Sequence, residues 1–190
     1  NGTNNQFYNV FGANSSVKEV AITGGDKIPS NAFYKSSTIK KVTLPEGITT
    51  LEVQAFSGLT NLTEINIPST VTLVSKYAFY NCSSLTEIVI PAGATVEENA
   101  FQKCSSLIKL GLPGVNPDKT NATGTNEANK GNVMYYIDTY TTLTFREYLV
   151  NLDEVIINGG NVCANAFQNA TNINTLTLNN VKTVETYAFS

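Results

Sequence analysis

The sequence predicts a mainly-β (or α/β) repeat protein, a right-handed solenoid of 22–23-residue turns with a parallel β-sheet on its concave face. Three observations predict it. Six Ala-Phe pairs recur: Ala32-Phe33, Ala55-Phe56, Ala78-Phe79, Ala100-Phe101, Ala166-Phe167 and Ala188-Phe189. Their successive spacings are 23, 23, 22, 66 and 22 residues, and 66 is three periods of 22. Aliphatic residues hold fixed distances from each Phe, and prolines keep the same frame. A period of roughly 20–29 residues marks one supersecondary unit that cannot bury its apolar side alone, so neighbouring units stack and bury it together.

The strand comes first in each turn. Nine residues after successive Phe anchors lie Val20, Val42, Ile65, Ile88, Leu110 and Leu176, and eleven after lie Ile22, Leu44, Ile67, Ile90, Leu112 and Leu178. Positions two apart share one side of a strand, so these columns face the core. Pro45, Pro68, Pro91 and Pro113 follow and close the strand, because proline cannot donate to the ladder. A second extended segment carries Ile28, Leu51, Val74, Val96, Val162 and Val184, each five residues before a Phe. Ala-Phe then forms a tight bend, and a further aliphatic column (Val17, Ile39, Leu62, Leu85, Leu107, Ile173) leads into the next strand. The Phe column is expected to form a continuous aromatic spine.

The frame is interrupted between Pro113 and Phe145. Phe101 and Phe145 are 44 residues apart, two periods, and Ile137, Tyr140 and Leu143 occupy the usual columns before Phe145. Residues 114–132 lack a strand pattern and read as a long polar loop. After Phe145 the strand columns shift by one residue to Leu152, Val155 and Ile157, which suggests a bulge or widened turn. The whole chain, 1–190, reads as one solenoid of eight or nine repeats. It stops one residue after an Ala-Phe pair, and the expectation is a piece of a longer array or an array lacking an ordered C-terminal cap.

The unit Leu85-x-x-Ile88-x-Ile90-Pro91, followed by Ala100-Phe101-x-x-Cys104-x-x-Leu107, resembles the BspA-like leucine-rich repeat family over residues 10–113 and 143–190. The resemblance implies a leucine-rich-repeat solenoid. It also implies a secreted or cell-surface, adhesin-type protein that binds proteins of a host or of other microbes, extracellular-matrix proteins among them.

Composition narrows the function. The chain is 42% hydrophobic but only 14% charged, with a net charge of −3. No run of Lys and Arg offers a phosphate-binding stripe, so nucleic acid is not an expected partner. No apolar stretch reaches the length of a membrane span. The chain has no histidine, which excludes Ser-His-Asp and Cys-His catalysis and every histidine metal ligand. No cofactor is expected. Cys82 and Cys104 occupy equivalent positions in adjacent turns. Their parallel side chains do not suit a disulfide, so they are expected as two buried thiols. Cys163 falls outside that column. Asp118, Glu127 and Asp138 lack the alternation of a calcium loop. Six Asn-x-Ser/Thr sequons are about what 24 Asn and this Ser and Thr content give by chance.

The candidate binding residues are the outward strand positions Lys41, Thr43, Glu64, Asn66, Glu87, Val89 and Lys109, together with the polar loop 114–132 and Tyr135, Tyr136 and Tyr140 beside it. Eight residues after each Phe, the row reads Glu19, Lys41, Glu64, Glu87, Lys109 and Thr175. Glu64 and Glu87 break its alternation. Stacked about 5 Å apart they would match the carboxyl separation of a retaining glycosidase. A solvated charge ladder, with no pocket beside it, is the competing expectation and the one adopted, so no catalytic residue is assigned. Tyr135, Tyr136 and Tyr140 beside the loop either bind a partner or fill the space of a degenerate repeat. The sequence thus reads as a non-catalytic protein-binding solenoid. A glycan-binding module or a structural spacer of a larger surface protein are its alternatives.

Overall fold

The computed structural model describes residues 16–97, 99–113, 151–162, 167 and 171–188. They form about six turns of a solenoid, with no helix among the described residues. Front strands are β1 (Glu19–Ala21), β3 (Lys41–Thr43), β5 (Glu64–Ile65), β7 (Glu87–Val89), β9 (Lys109–Pro113), β10 (Glu154–Asn158) and β12 (Thr175–Asn179). Rear strands are β2 (Lys27–Ile28), β4 (Thr50–Leu51), β6 (Leu73–Val74), β8 (Thr95–Val96), β11 (Asn161–Val162) and β13 (Thr183–Val184). All pairings are parallel, as a solenoid that advances one strand per turn requires.

The predicted columns fall where the spacing placed them. Val42, Ile88 and Leu110 are buried in front strands, and Ile28, Leu51, Val74, Val96 and Val162 in rear strands. Phe33, Phe56, Phe79 and Phe101 are fully buried and stack, with ring centroids 5.4, 5.3 and 5.6 Å apart and interplanar angles of 4°, 13° and 11°. Backbone spacing enforces this distance, because each Phe amide donates to the Ala carbonyl of the next turn, as in Phe33 to Ala55 and Phe56 to Ala78, both at 2.8 Å. Equivalent side chains therefore lie about one strand spacing apart.

Each bend is made by two left-handed residues. Asn31, Gln54, Tyr77 and Asn99 precede the buried Ala with φ of 56–58°. Lys35, Gly58, Asn81 and Lys103 follow two residues after Phe, also with positive φ. For a non-glycine residue this conformation costs roughly 1–2 kcal/mol. Burial of the Ala-Phe pair, with both residues at 0% exposure in four successive turns, offsets that cost. Cys82 and Cys104 are free, buried thiols, as expected, and donate to the carbonyls of Phe56 (3.2 Å) and Phe79 (3.1 Å) in the preceding turn. Burial, foremost, pushes the Cys82 thiol well above its ordinary value, so it stays protonated and unreactive.

The stack holds about six turns among the described residues. Two expectations are corrected. β10 pairs directly with β9, Glu154 against Lys109, in full register over five residues. That pairing leaves no place in the front sheet for a strand between them, so the two-period frame to Phe145 does not add turns to it. Pro113 does not lie beyond its strand but is the last residue of β9, opposite Asn158. A strand's terminal residue can still take part through its carbonyl. The polar loop 114–132, Phe145, Cys163 and the acidic residues Asp118, Glu127 and Asp138 lie outside the described residues. At the far end of the stack Leu176, Leu178 and Val184 are 38%, 39% and 49% exposed, since no further turn among the described residues covers them.

Removing one ring from the spine tests this packing. Phe79→Ala should lose about 3–5 kcal/mol in chemical denaturation, the range for truncating a buried aromatic. An unchanged midpoint and slope would show that the register is wrong.

Candidate binding face

The front strands bring the outward side chains into two parallel rows. The first runs Glu19, Lys41, Glu64, then Glu87, Lys109, Glu154 and Thr175, set by the ladder register on either side of the gap between Glu64 and Glu87. The second runs Ala21, Thr43, Asn66, then Val89, Gly111, Ile156 and Thr177. All seven strand candidates of the sequence (Lys41, Thr43, Glu64, Asn66, Glu87, Val89 and Lys109) lie in these rows. Glu154 and Ile156 belong to them too. The one-residue shift of the columns after Phe145 was the signal that could have found them. Tyr135, Tyr136 and Tyr140 lie outside the described residues.

Ion pairs follow the first row. Lys41 pairs with Glu64, and Lys109 lies 3.4 Å from both Glu87 and Glu154. A hydrogen bond to Glu64, then its charge, raises the Lys41 ammonium above its ordinary value. The charges of Glu87 and Glu154 do the same for Lys109. Both lysines keep full charge at neutral pH. These side chains are largely solvated, so the pairs are screened by water and weakened further by salt.

The row is cut at its centre. At every other front junction one carbonyl receives two successive amides of the next turn: Lys18 from Lys40 and Lys41, Lys40 from Thr63 and Glu64, Thr86 from Ile108 and Lys109, Ile108 from Asp153 and Glu154, and Asp153 from Asn174 and Thr175. Between Thr63 and the pair Thr86 and Glu87 neither bond is made. The front ladder accordingly splits into β1-β3-β5 and β12-β10-β9-β7, while the rear ladder β2-β4-β6-β8 runs unbroken past the split. A cleft of about 670 Å³ opens there, lined by Glu64, Ile65, Asn66, Glu87, Ile88 and Val89 among others.

Two local causes coincide at the split. Glu64 and Glu87 carry like charge on facing positions, which destabilises strand pairing. Asn66 bonds the backbone of Leu44 with its side chain, Oδ1 accepting from the amide and Nδ2 donating to the carbonyl, both at 2.8 Å. In other turns this amide bonds a backbone carbonyl, as Ile22 does to Thr43 and Ile90 to Gly111. The Asn66 amide thus stands in for its own backbone, and β5 ends at Ile65 after only two residues.

The glutamate pair is therefore corrected in two respects. The ladder that would hold Glu64 and Glu87 about 5 Å apart is absent. A cleft that is widely open to solvent lies beside them. The two side chains are 63% and 58% exposed, and each is paired with a lysine of its own sheet. Among the described residues no group of His, Cys, Asp and Glu could hold a metal ion, and no helix is long and apolar enough to cross a membrane.

The comparisons agree with this architecture. The sequence profile of the BspA type leucine-rich repeat region matches residues 7–122 and 135–190 in six copies. The chain belongs to the BspA-type leucine-rich repeat family. Among solved structures it is similar to a leucine-rich repeat protein of T. pallidum, at 24% identity and a TM-score of 0.52, covering 88% of this chain and 67% of that one. A leucine-rich repeat protein of Bacteroides ovatus ATCC 8483 aligns at 20% identity and a TM-score of 0.49, over 92% of this chain and 64% of that one. A chain of the TLR13-ssRNA13 complex shares the fold at 16% identity and a TM-score of 0.52, over 86% of this chain but 21% of its own. No curated protein matches the sequence.

Asn66 gives the local test. Asn66→Ala leaves the Leu44 amide and carbonyl without their partners and should cost about 1–3 kcal/mol in urea unfolding. A loss within about 0.3 kcal/mol of zero would mean that the backbone re-forms the ladder once the side chain is gone.

Proposed function

We propose that this chain is a non-catalytic protein-binding solenoid of a secreted or cell-surface, adhesin-type protein, and that it binds a surface protein of a host or another microbe. The observation that carries the reading is the pair of outward rows. Parallel strands aim charged, amide, hydroxyl and aliphatic side chains in one direction along about six turns. Such a surface suits a protein partner contacted at many points. The family membership supports it, and one structural neighbour is described as a leucine rich cell surface protein. The TLR13-ssRNA13 complex shows the fold in a complex named for RNA, but the acidic balance of this chain, −3 overall, does not favour a polyanion.

A distributed interface has a recognisable mutational signature. Lys41→Ala, Thr43→Ala or Lys109→Ala alone should weaken binding to a surface protein about two- to fivefold. The combined reversal Lys41→Glu, Lys109→Glu and Glu154→Lys should weaken it about a hundredfold, with cooperative melting retained. Replacing residues 116–130 by a Gly-Ser linker should weaken binding more than any one of these single substitutions. Biosensor titration against a panel of extracellular-matrix proteins and glycans reads all of these. Binding lost with the linker but kept in the reversal would move the site to the loop and its tyrosines. Failure of the cooperatively folded chain to bind any member would favour a spacer.

A further inference from the structure

The cleft between β5 and β7 lacks two things that every neighbouring junction has, backbone hydrogen bonds and opposite charge. We propose that an extended segment of the partner protein supplies both, pairing its backbone with the open strand edges and placing a Lys or Arg side chain between Glu64 and Glu87. The inference rests on the protein-binding reading of this face and names the chemistry that the face recognises.

The backbone argument follows from register. Lys109 and Gly111 are the partners of Glu87 and Val89 in the β7–β9 ladder. The Lys109 amide donates back to Thr86, and the Gly111 carbonyl accepts from Ile90, so both residues present their polar groups to the preceding strand. Glu87 and Val89, the equivalent residues one turn earlier, present theirs to the β5 side. No ladder occupies them there. An open strand edge lined by unpaired amides and carbonyls is a template for a further strand.

The charge argument is independent of the backbone. The outward row alternates as Glu19, Lys41, Glu64 on one side of the split and Glu87, Lys109, Glu154 on the other. One cation between Glu64 and Glu87 would make the alternation continuous across all these strands. The split falls at the one place where that cation is missing. Val89 is 37% exposed in the second row, two residues along from Glu87. Side chains two apart on a strand share a face. The segment should therefore read basic-x-apolar, with the apolar residue against Val89.

The test uses the acetylated, amidated pentapeptide Thr-Arg-Thr-Val-Thr as the probe, followed by amide NMR and calorimetry on the full chain. The Arg peptide should shift the amides of Ile65, Glu87 and Val89. Its Glu-for-Arg counterpart should bind at least tenfold more weakly, and so should an Arg peptide N-methylated at alternate residues. Glu64→Gln with Glu87→Gln should weaken the Arg peptide at least tenfold, with a retained cooperative melting transition as the folding control. Equal binding of the Arg and Glu peptides would overturn the proposal. So would indifference to N-methylation, shifts confined to residues elsewhere, or no shift at about 1 mM peptide. If the peptide fails while the triple charge reversal still abolishes binding of a surface protein, the cleft inference falls and the binding face stands. Loss of both would remove the protein-binding reading itself.

Discussion

Each turn of this solenoid leaves an apolar edge that only the next turn covers, and the stacked phenylalanines are where that dependence is strongest. Four rings lie fully buried one above another at 5.3–5.6 Å, close to the spacing of paired strands. Ring stacking and the Ala-to-Phe backbone bonds fix the same distance, so they reinforce each other. Everything else hangs on that spacing: the rear strands, the left-handed bend residues, the buried thiols of Cys82 and Cys104, and the outward rows. A perturbation at one ring acts on both neighbours, as is general for structures stabilised by nearest-neighbour interfaces.

The spine also explains how the front sheet tolerates a break. Between β5 and β7 the hydrogen bonds are absent, but Phe56 and Phe79 still stack at 5.3 Å and the rear ladder still joins β4, β6 and β8. The core and rear hold the repeat in register while the front opens. Local electrostatics and one side-chain amide can then shape the face without unravelling the stack. The packing that holds successive turns together lies in the core and the rear, and the outward rows lie on the front.

Much of the fold was legible in the sequence because each turn repeats the same local geometry. Phe79, Ile88 and Val96 lie at the same offsets as their counterparts in other turns, and stacking turns offsets into columns. The outward row was legible for the same reason. Counting failed where stacking, not chain length, decides. Phe145 lies two periods beyond Phe101, yet β10 pairs directly with β9. Glu154 and Ile156 escaped because the strand columns there shift by one residue. The split was legible only in part, in the like charges of Glu64 and Glu87 that break the alternation of the row. Its second cause, the Asn66 amide bonding Leu44 in place of a backbone carbonyl, is a competition between side chain and main chain that spacing does not encode.

Amide hydrogen exchange at Glu87 and Lys109 tests the central claim most directly, that a continuous core carries a broken front ladder. These two residues are equivalent positions one turn apart, and only Lys109 donates to the turn before it. In the free protein the Glu87 amide should exchange at least about a hundredfold faster than that of Lys109, while the Phe79 amide, bonded to Ala100, stays protected. Equal protection of Glu87 and Lys109 would mean that the front ladder is closed, and would contradict the account.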